Sequence, residues 1–384
     1  MRTLRIAMNG VTGRMGYGQH LRNAILPIRD AGGVVLPDGS TVQVEPVLVG
    51  RRADRLQEIA AAHGIERWST DLDAVLSDVD VYFDAQATAG RAAAVRTAIA
   101  AGKHVYAEKP SAQTATEAFE LARQAEAAGV TTGVVHHMLY LPGPAALRRL
   151  AAEGFFGRIL SVRLEFGYWV FDGEHRAGQR PSWNYRAEDG GGITADMFTH
   201  LNYLVERIVA PVRGVYAVAT THVPRRWDEQ GEPYAATADD AVYSTLDLDG
   251  GAVAVVNASW GVRMFRDEVL QIQVDGTAGS AVAGFQSCVT QHASVTPAMS
   301  GDTARPLSDE RTRWAAVPPS GPAASPFRLQ WEDYLRDVAA GRPHANDLGS
   351  AARGVQLGEL ALTSSGSRQR VAVPALVPAG RGTR

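Results

Sequence analysis

The stretch Leu4-Arg5-Ile6-Ala7-Met8-Asn9-Gly10-Val11-Thr12-Gly13-Arg14-Met15-Gly16 passes from an apolar run, through three glycines spaced three apart, into a helical pattern that lasts to Asp30. Glycine lets the backbone turn sharply and approach a bound group closely. The helix start adds unpaired N–H groups and the positive end of its dipole. A strand, a glycine turn and a helix in that order suit a pyrophosphate. They predict a dinucleotide-binding unit with Gly10, Thr12, Gly13, Arg14, Met15 and Gly16 around the ligand. The spacing G-x-x-G-x-x-G departs from the usual G-x-G-x-x-G, so the loop alone is a weak signal.

Outward from the loop, apolar runs and helical patterns alternate. Glu45–Gly50, Val79–Asp84, His104–Ala107 and Val130–Val135 read as strands, and Arg55–His63 and Arg91–Ala101 as helices. Thr114 and Glu117 form a capping box that opens a further helix ending at Gly129. This series predicts an α/β unit over 1–137, a Rossmann-type doubly wound parallel sheet. Pro37-Asp38-Gly39-Ser40 predicts a hairpin inserted between the first helix and the second long strand.

From 138 the pattern changes. Pro144–Glu153 and Gly192–Val209 read as helices and Ile159–Val170 as one long strand. Val212–Thr221, Asp240–Leu248, Ala252–Trp260 and Glu268–Val274 then follow as strands without intervening helices. Consecutive strands predict a large open antiparallel sheet in an α+β domain over 138–374. Residues 290–325, rich in Ser, Pro, Ala and Thr, read as a surface excursion; Phe327–Ala340 and Leu348–Ser364 as helices; and 375–384 as a flexible tail.

Composition narrows the function. A chain of 384 residues is long enough for two domains, and a net charge of −3 offers no basic field for nucleic acid. The single cysteine, Cys288, excludes an internal disulfide and fits a reducing compartment. No apolar run is long enough for a signal peptide or a membrane span. A cytoplasmic location is therefore expected, without membrane or nucleic-acid partners.

Cofactor choice is read at the end of the second long strand, Val47-Leu48-Val49-Gly50-Arg51-Arg52. A carboxylate there would hold the adenosine ribose. Arg51 and Arg52 stand there instead, and guanidinium suits a 2′-phosphate, so NADP(H) is expected over NAD(H). The bland alternative is a solvated pair of charges.

Two further stretches carry chemistry. His104-Val105-Tyr106-Ala107-Glu108-Lys109-Pro110 lies where a parallel strand ends and ligands bind, and a lysine there can reach a substrate hydroxyl. Pro110 admits a cis bond. In Gly190-Gly191-Gly192-Ile193-Thr194-Ala195-Asp196-Met197-Phe198-Thr199-His200, three glycines open a helix on which Asp196 and His200 share a face. Histidine titrates near neutrality, which suits proton exchange with an alcohol. Asp239 and Asp240 read as turn caps, and with no third ligand at a suitable spacing no metal site is expected.

Taken together, the glycine loop, the Ala-Gly-Lys-His-Val…Glu-Lys-Pro stretch at 101–110 and the Gly-Gly-Gly-x-x-x-Asp-x-x-x-His stretch at 190–200 resemble the Gfo/Idh/MocA family of oxidoreductases. The resemblance runs on through Asp275-Gly276-Thr277-x-Gly279-Ser280 to the helix near 348–364. It implies hydride transfer between nicotinamide and a secondary alcohol or ketone of a sugar, inositol or glycoside. Lys109 would stabilise charge on the reacting oxygen, His200 would exchange its proton, and Asp196 would orient the substrate. Ala85, Glu108 and Lys109 would lie at the cofactor. His137, Tyr168, Trp183, Tyr185 and Arg186 are candidate substrate contacts, with Trp169, Phe171 and Arg180 nearby in sequence. Substrate binding by the domain over 138–374, and a homodimer or homotetramer through its antiparallel sheet, are implied as well.

Asp84-Ala85-Gln86-Ala87-Thr88 departs from the family's usual turn. The glycine loop is also similar to that of dihydrodipicolinate reductase, but the His-His…Lys signature of that enzyme is missing around His136-His137. A non-catalytic dinucleotide sensor on the same fold is the alternative from another class. Such a protein is expected to have lost the lysine or the histidine, and both are present. Substrate stereochemistry is read by site geometry, so the sequence leaves it open.

Overall fold

Leu4, Ile6 and Met8 point to one face of the first strand and Ala7 to the other, and both faces are covered. This strand lies at the centre of the first of two units into which the computed structural model divides. The first unit comprises Met1–Tyr140 with Ala323–Gln356, the second Leu141–Pro322 with Leu357–Arg384. The structure describes residues 2–168, 181–263, 268–296, 311–321 and 323–375.

In the first unit, β1 (Arg2–Asn9), β2 (Val34–Val35), β3 (Thr41–Val49), β4 (Trp68–Ser69), β5 (Val81–Asp84), β6 (His104–Ala107) and β7 (Thr132–Val134) form one sheet. Its order is β2-β3-β1-β5-β6-β7, with β4 beside β3. The pairs joining β3, β1, β5, β6 and β7 are all parallel, as the alternating pattern predicted. The hairpin at Asp38-Gly39 is present, with β2 antiparallel to β3 and Asp38 accepting the Ser40 N–H. The first helix is π-wound over Met15–Ile25 and α-helical over Leu26–Asp30. Thr114 caps the helix Ala115–Ala127 by accepting the Glu117 N–H.

The sequence reading gave 323–356 to the second domain; the structure returns it to the first unit. Phe327, Trp331, Tyr334, Leu335 and Val338 join Leu4, Ile6 and Met8 on one face of the sheet. Leu348, Ala352 and Val355 join Ala7, Val47 and Val105 on the other. An amphipathic pattern shows that a helix has an apolar stripe, but not which sheet that stripe covers.

The second unit is built on a nine-stranded sheet. In chain order its strands are β8 (Ile159–Gly167), β9 (Val212–Thr220), β12 (Ala241–Leu248), β13 (Val253–Ser259), β14 (Leu270–Gly276), β15 (Gly279–Ala283), β16 (Cys288–His292), β17 (Ala315–Ala316) and β18 (Val371–Ala372). A separate hairpin pairs β10 (Arg225–Trp227) with β11 (Pro233–Ala235). The large sheet runs β17-β16-β15-β14-β8-β13-β12-β9-β18 and is antiparallel except that β13 is parallel to β8. Val162, Leu164, Val215, Ala217, Val256 and Ile272 face the covered side. The helix Pro142–Ala152 packs on β15 and β16. The other face carries exposed Tyr216, Tyr243, Val253 and Val255.

The expected excursion at 290–325 begins instead inside β16, and β17 pairs along that strand's edge. The strands from Gly279 onward are short and rich in small residues, so period-two apolar patterning is faint there. Among the described residues no helix is long and apolar enough to cross a membrane.

Candidate active site

In the first unit the glycine turn packs against the end of β5. Gly10 has φ +79°, and a Cβ on it would lie 2.7 Å from the Ala85 carbonyl carbon, so only glycine fits. Gly16 is equally tight, since a Cβ there would stand 2.5 Å from the Gly10 oxygen. Gly13 donates to the Gly10 carbonyl at 3.0 Å. Thr12 lies beside Gly50, Met15 packs on the core, and Gly13 and Arg14 are exposed. The helix that begins at Met15 carries no side-chain cap. An uncapped helix start next to an exposed glycine turn fits the phosphates of a dinucleotide. Arg51 and Arg52 are exposed beyond the end of β3.

The unusual turn after β5 is held by a buried ion pair. Asp84 is fully buried and accepts from Tyr82 Oη at 2.6 Å, Gln86 Nε2 at 2.8 Å and Arg91 Nε at 3.0 Å. Arg91 also donates to the carbonyls of Gln86 and Pro110. Ala85 donates to the Asn9 carbonyl at 2.9 Å. One arginine thus ties the turn at 84–88 to the Pro110 carbonyl, one residue past the cis Lys109–Pro110 bond.

Glu108 is buried. Burial alone would raise its carboxyl, but the hydrogen bond and electrostatic interaction with His20 and the charges of Lys109 and Arg91 outweigh it and hold the group at about 2. His137 stacks on Phe327 with centroids 4.3 Å apart, and burial lowers its imidazole to about 4. It is therefore neutral near pH 7. His136 donates its backbone N–H to Gln330.

In the second unit, Gly191 packs on the Trp183 and Asn184 carbonyls and Gly192 on Asp239. Gly192 has φ +115°, and a Cβ there would meet Asp239 Oδ1 at 2.4 Å. Asp239 Oδ2 accepts the Thr194 N–H at 2.9 Å and its hydroxyl at 2.5 Å. Burial raises the Asp239 carboxyl, and the Thr194 bonds offset part of that rise. Asp239 thereby fixes the start of the helix that is π-wound over Thr194–Phe198 and α-helical over Thr199–Ile208. Asp196 is half-buried on its first turn and His200 is buried. His200 Nδ1 and Tyr203 Oη are 2.8 Å apart.

Of the expected substrate contacts, Trp183 is half exposed and Arg186 lies over the Tyr234 ring at 4.7 Å. Tyr168 is half-buried, edge-on to Phe166. Tyr185 is 1% exposed, with the Arg226 guanidinium 3.9 Å from its ring centre and Trp260 edge-on. Trp169, Phe171 and Arg180 lie outside the described residues. Asp240, expected to cap a turn, does accept the His222 and Val223 N–H groups, and it also pairs with buried Arg226 at 3.0 Å.

Sequence reasoning missed His20, Trp331, Arg91, Tyr203 and the helix-capping role of Asp239. None of them lies in a motif local in sequence. The chain has only two lysines, Lys103 and Lys109, among 38 basic residues.

Residues 4–136 match the model of the oxidoreductase family with an NAD-binding Rossmann fold. Residues 145–282 match the GFO/IDH/MocA C-terminal domain. The chain is 55% identical, over 97% of its length and 97% of the relative's, to a D-xylose dehydrogenase of Paenarthrobacter nicotinovorans. It is 26% identical to a levoglucosan dehydrogenase of Pseudarthrobacter phenanthrenivorans, over 74% of this chain and 75% of that one. A solved levoglucosan dehydrogenase in complex with NADH and L-sorbose superposes with a TM-score of 0.80 at 22% identity, covering 98% of this chain and all of that one.

Proposed function

The chain belongs to the Gfo/Idh/MocA oxidoreductases, and from that membership we propose that it oxidises a sugar of the D-xylose kind, using NADP+. The observation that carries the reading is the 55% identity across nearly the whole length of a D-xylose dehydrogenase. When bound, the nicotinamide supplies the hydride acceptor.

The protein supplies the rest. His200 takes the proton of the reacting hydroxyl as its carbon loses hydride. The contact between His200 Nδ1 and Tyr203 Oη fixes the plane of the ring for that exchange. Lys109 donates to the same oxygen and offsets the negative charge that develops on it. Asp196 orients the substrate through a neighbouring hydroxyl. Trp183 and Arg186 are candidates for stacking on the ring and bonding its hydroxyls, and His137 and Tyr168 for further contacts. The helix start at Met15 and the turn at 84–88 hold the dinucleotide, with Arg51 and Arg52 favouring a 2′-phosphate.

A single buried cysteine supports residence in a reducing cytoplasm. The exposed apolar residues on the large sheet support a homodimer or homotetramer through that face.

The test is a panel of pentoses, hexoses, inositols and glycosides with NADP+ and with NAD+, followed at the absorbance of the reduced nicotinamide. Turnover of D-xylose, and a lower Kd for NADP+ than for NAD+, are expected. Silence across the panel with firm cofactor binding would instead favour the sensor. Tighter binding of NAD+ would overturn the cofactor choice alone.

A further inference from the structure

The C-terminal segment that returns to the first unit reaches the Glu-Lys-Pro stretch through one histidine. The Trp331 indole Nε1–H donates to His20 Nδ1 at 2.9 Å, and His20 Nε2 meets Glu108 Oε1 at 2.9 Å. An indole N–H can only donate, so Nδ1 must be the bare nitrogen and Nε2 must carry the proton shared with the carboxylate. The other oxygen, Glu108 Oε2, accepts the backbone N–H of Lys109 at 3.2 Å. Trp331 and His20 are both fully buried, so water does not compete for these bonds. Phe83 and Phe327 pack against the imidazole and fix its plane.

We propose that Trp331 and His20 are positioning residues for the reaction: Trp331 sets the tautomer of His20, and His20 holds Glu108 as the anion that anchors Lys109. The inference rests on the role given above to Lys109. Trp331 comes from the helix Pro326–Ala339 and His20 from the first helix, so two elements far apart in the chain fix one carboxylate. Glu108 then stays ionised, and its two oxygens have separate duties. Arg91 grips the Pro110 carbonyl on the far side of Lys109, so the lysine's main chain is held from both directions.

The titratable groups around Glu108 come from five elements. They are His20, Lys109 next in the chain, Arg91 from the helix Thr88–Ala100, Tyr106 on β6 and His137 after β7. With His137 neutral near pH 7, Lys109 and Arg91 supply the positive charge. Without the donated hydrogen bond, burial would act against the anion with less to oppose it, and the carboxyl would protonate at a higher pH.

The two-lysine composition gives a direct readout. Lysine labelled with 13C at Cε yields two signals, assigned through Lys103→Arg, and the Lys109 signal reports any change of charge on Glu108. In the wild-type protein it is expected to stay flat from about pH 7.5 to about 4.5, because the carboxylate remains ionised throughout. His20→Met removes both bonds of the imidazole. The signal should then titrate inside that window, its midpoint raised by about three pH units or more as burial acts with less to oppose it. kcat should fall about tenfold or more, its acid limb moving up with that midpoint, while cofactor Kd is unchanged.

His20→Gln has nearly the shape of the methionine variant but can accept from Trp331 and donate to Glu108. It should restore the flat signal and recover kcat to within about threefold. Trp331→Phe keeps an aromatic ring and removes only the donor. It should lower kcat about threefold to tenfold without loosening the cofactor, and it decides the matter if His20→Met does not fold. A flat Lys109 signal in His20→Met, or a glutamine variant as impaired as the methionine one, would overturn the proposal. If the wild-type protein oxidises no sugar, the functional reading fails, yet the lysine signal still decides whether His20 holds Glu108.

Discussion

At the scale of single residues, the site depends on which partner each polar group has. His200 is legible because it stands four residues after Asp196 on a helix opened by glycines, a pattern local in sequence. Tyr203, which engages its Nδ1, gave no signal, because a tyrosine in a helix reads as core. His200→Ala is expected to lower kcat about 10²-fold or more. Tyr203→Phe should lower it less, and neither should change cofactor Kd, as measured by steady-state kinetics beside fluorescence titration. Glu108 supplies a pH test. Its folded value of about 2 lies below the ordinary 4.5, so its contribution to stability is present above the ordinary value. That contribution is lost as pH falls from about 4.5 towards 2, and amounts to about 3 kcal/mol. Urea unfolding of Glu108→Gln should therefore show a shallower loss of stability across that window than the wild type. Equal slopes would show that the carboxylate is not held in the way described.

Elements were easiest to read where apolar runs alternate with helical ones. β6 and the capping box at Thr114 agree with expectation because their signals lie within a few residues of one another. The hairpin β10–β11 and the strands β15 and β16 were missed, being short and poor in branched apolar residues. The turn after β5 was noticed only as a departure from its family, and its cause is Arg91, seven residues on. Removing one partner of a buried ion pair strands the other charge, at a cost of about 3–5 kcal/mol, whereas replacing both can be nearly neutral. Arg91→Ala should thus shift the urea midpoint strongly, and Arg91→Met with Asp84→Asn should recover much of the loss. If the single variant unfolds like the wild type, the pair does not hold the turn.

For the whole molecule, the α/β class and the second, mostly antiparallel sheet follow from periodicity along the chain. The return of 323–356 to the first unit does not, because surface pairing between distant segments leaves no local trace. Neither does the assembly state. On the large sheet, Tyr216 and Val255 both lie opposite Thr245, which places them in one row of the exposed face. A Tyr216→Arg, Val255→Arg double variant should therefore run as a smaller species than the wild type by light scattering, with its far-UV spectrum unchanged. A wild-type protein that is already monomeric would remove that assignment.

Turnover of a sugar that depends on Lys109, as proposed above, is what separates this chain from a protein that merely binds a dinucleotide. The most direct measurement is kcat with D-xylose for the wild type and for Lys109→Ala, alongside cofactor Kd for both. The account predicts turnover in the wild type, a fall of about 10²-fold or more in the variant, and a Kd within about threefold. Near-wild-type turnover in Lys109→Ala, or a wild type that binds cofactor firmly and oxidises no sugar, would contradict it.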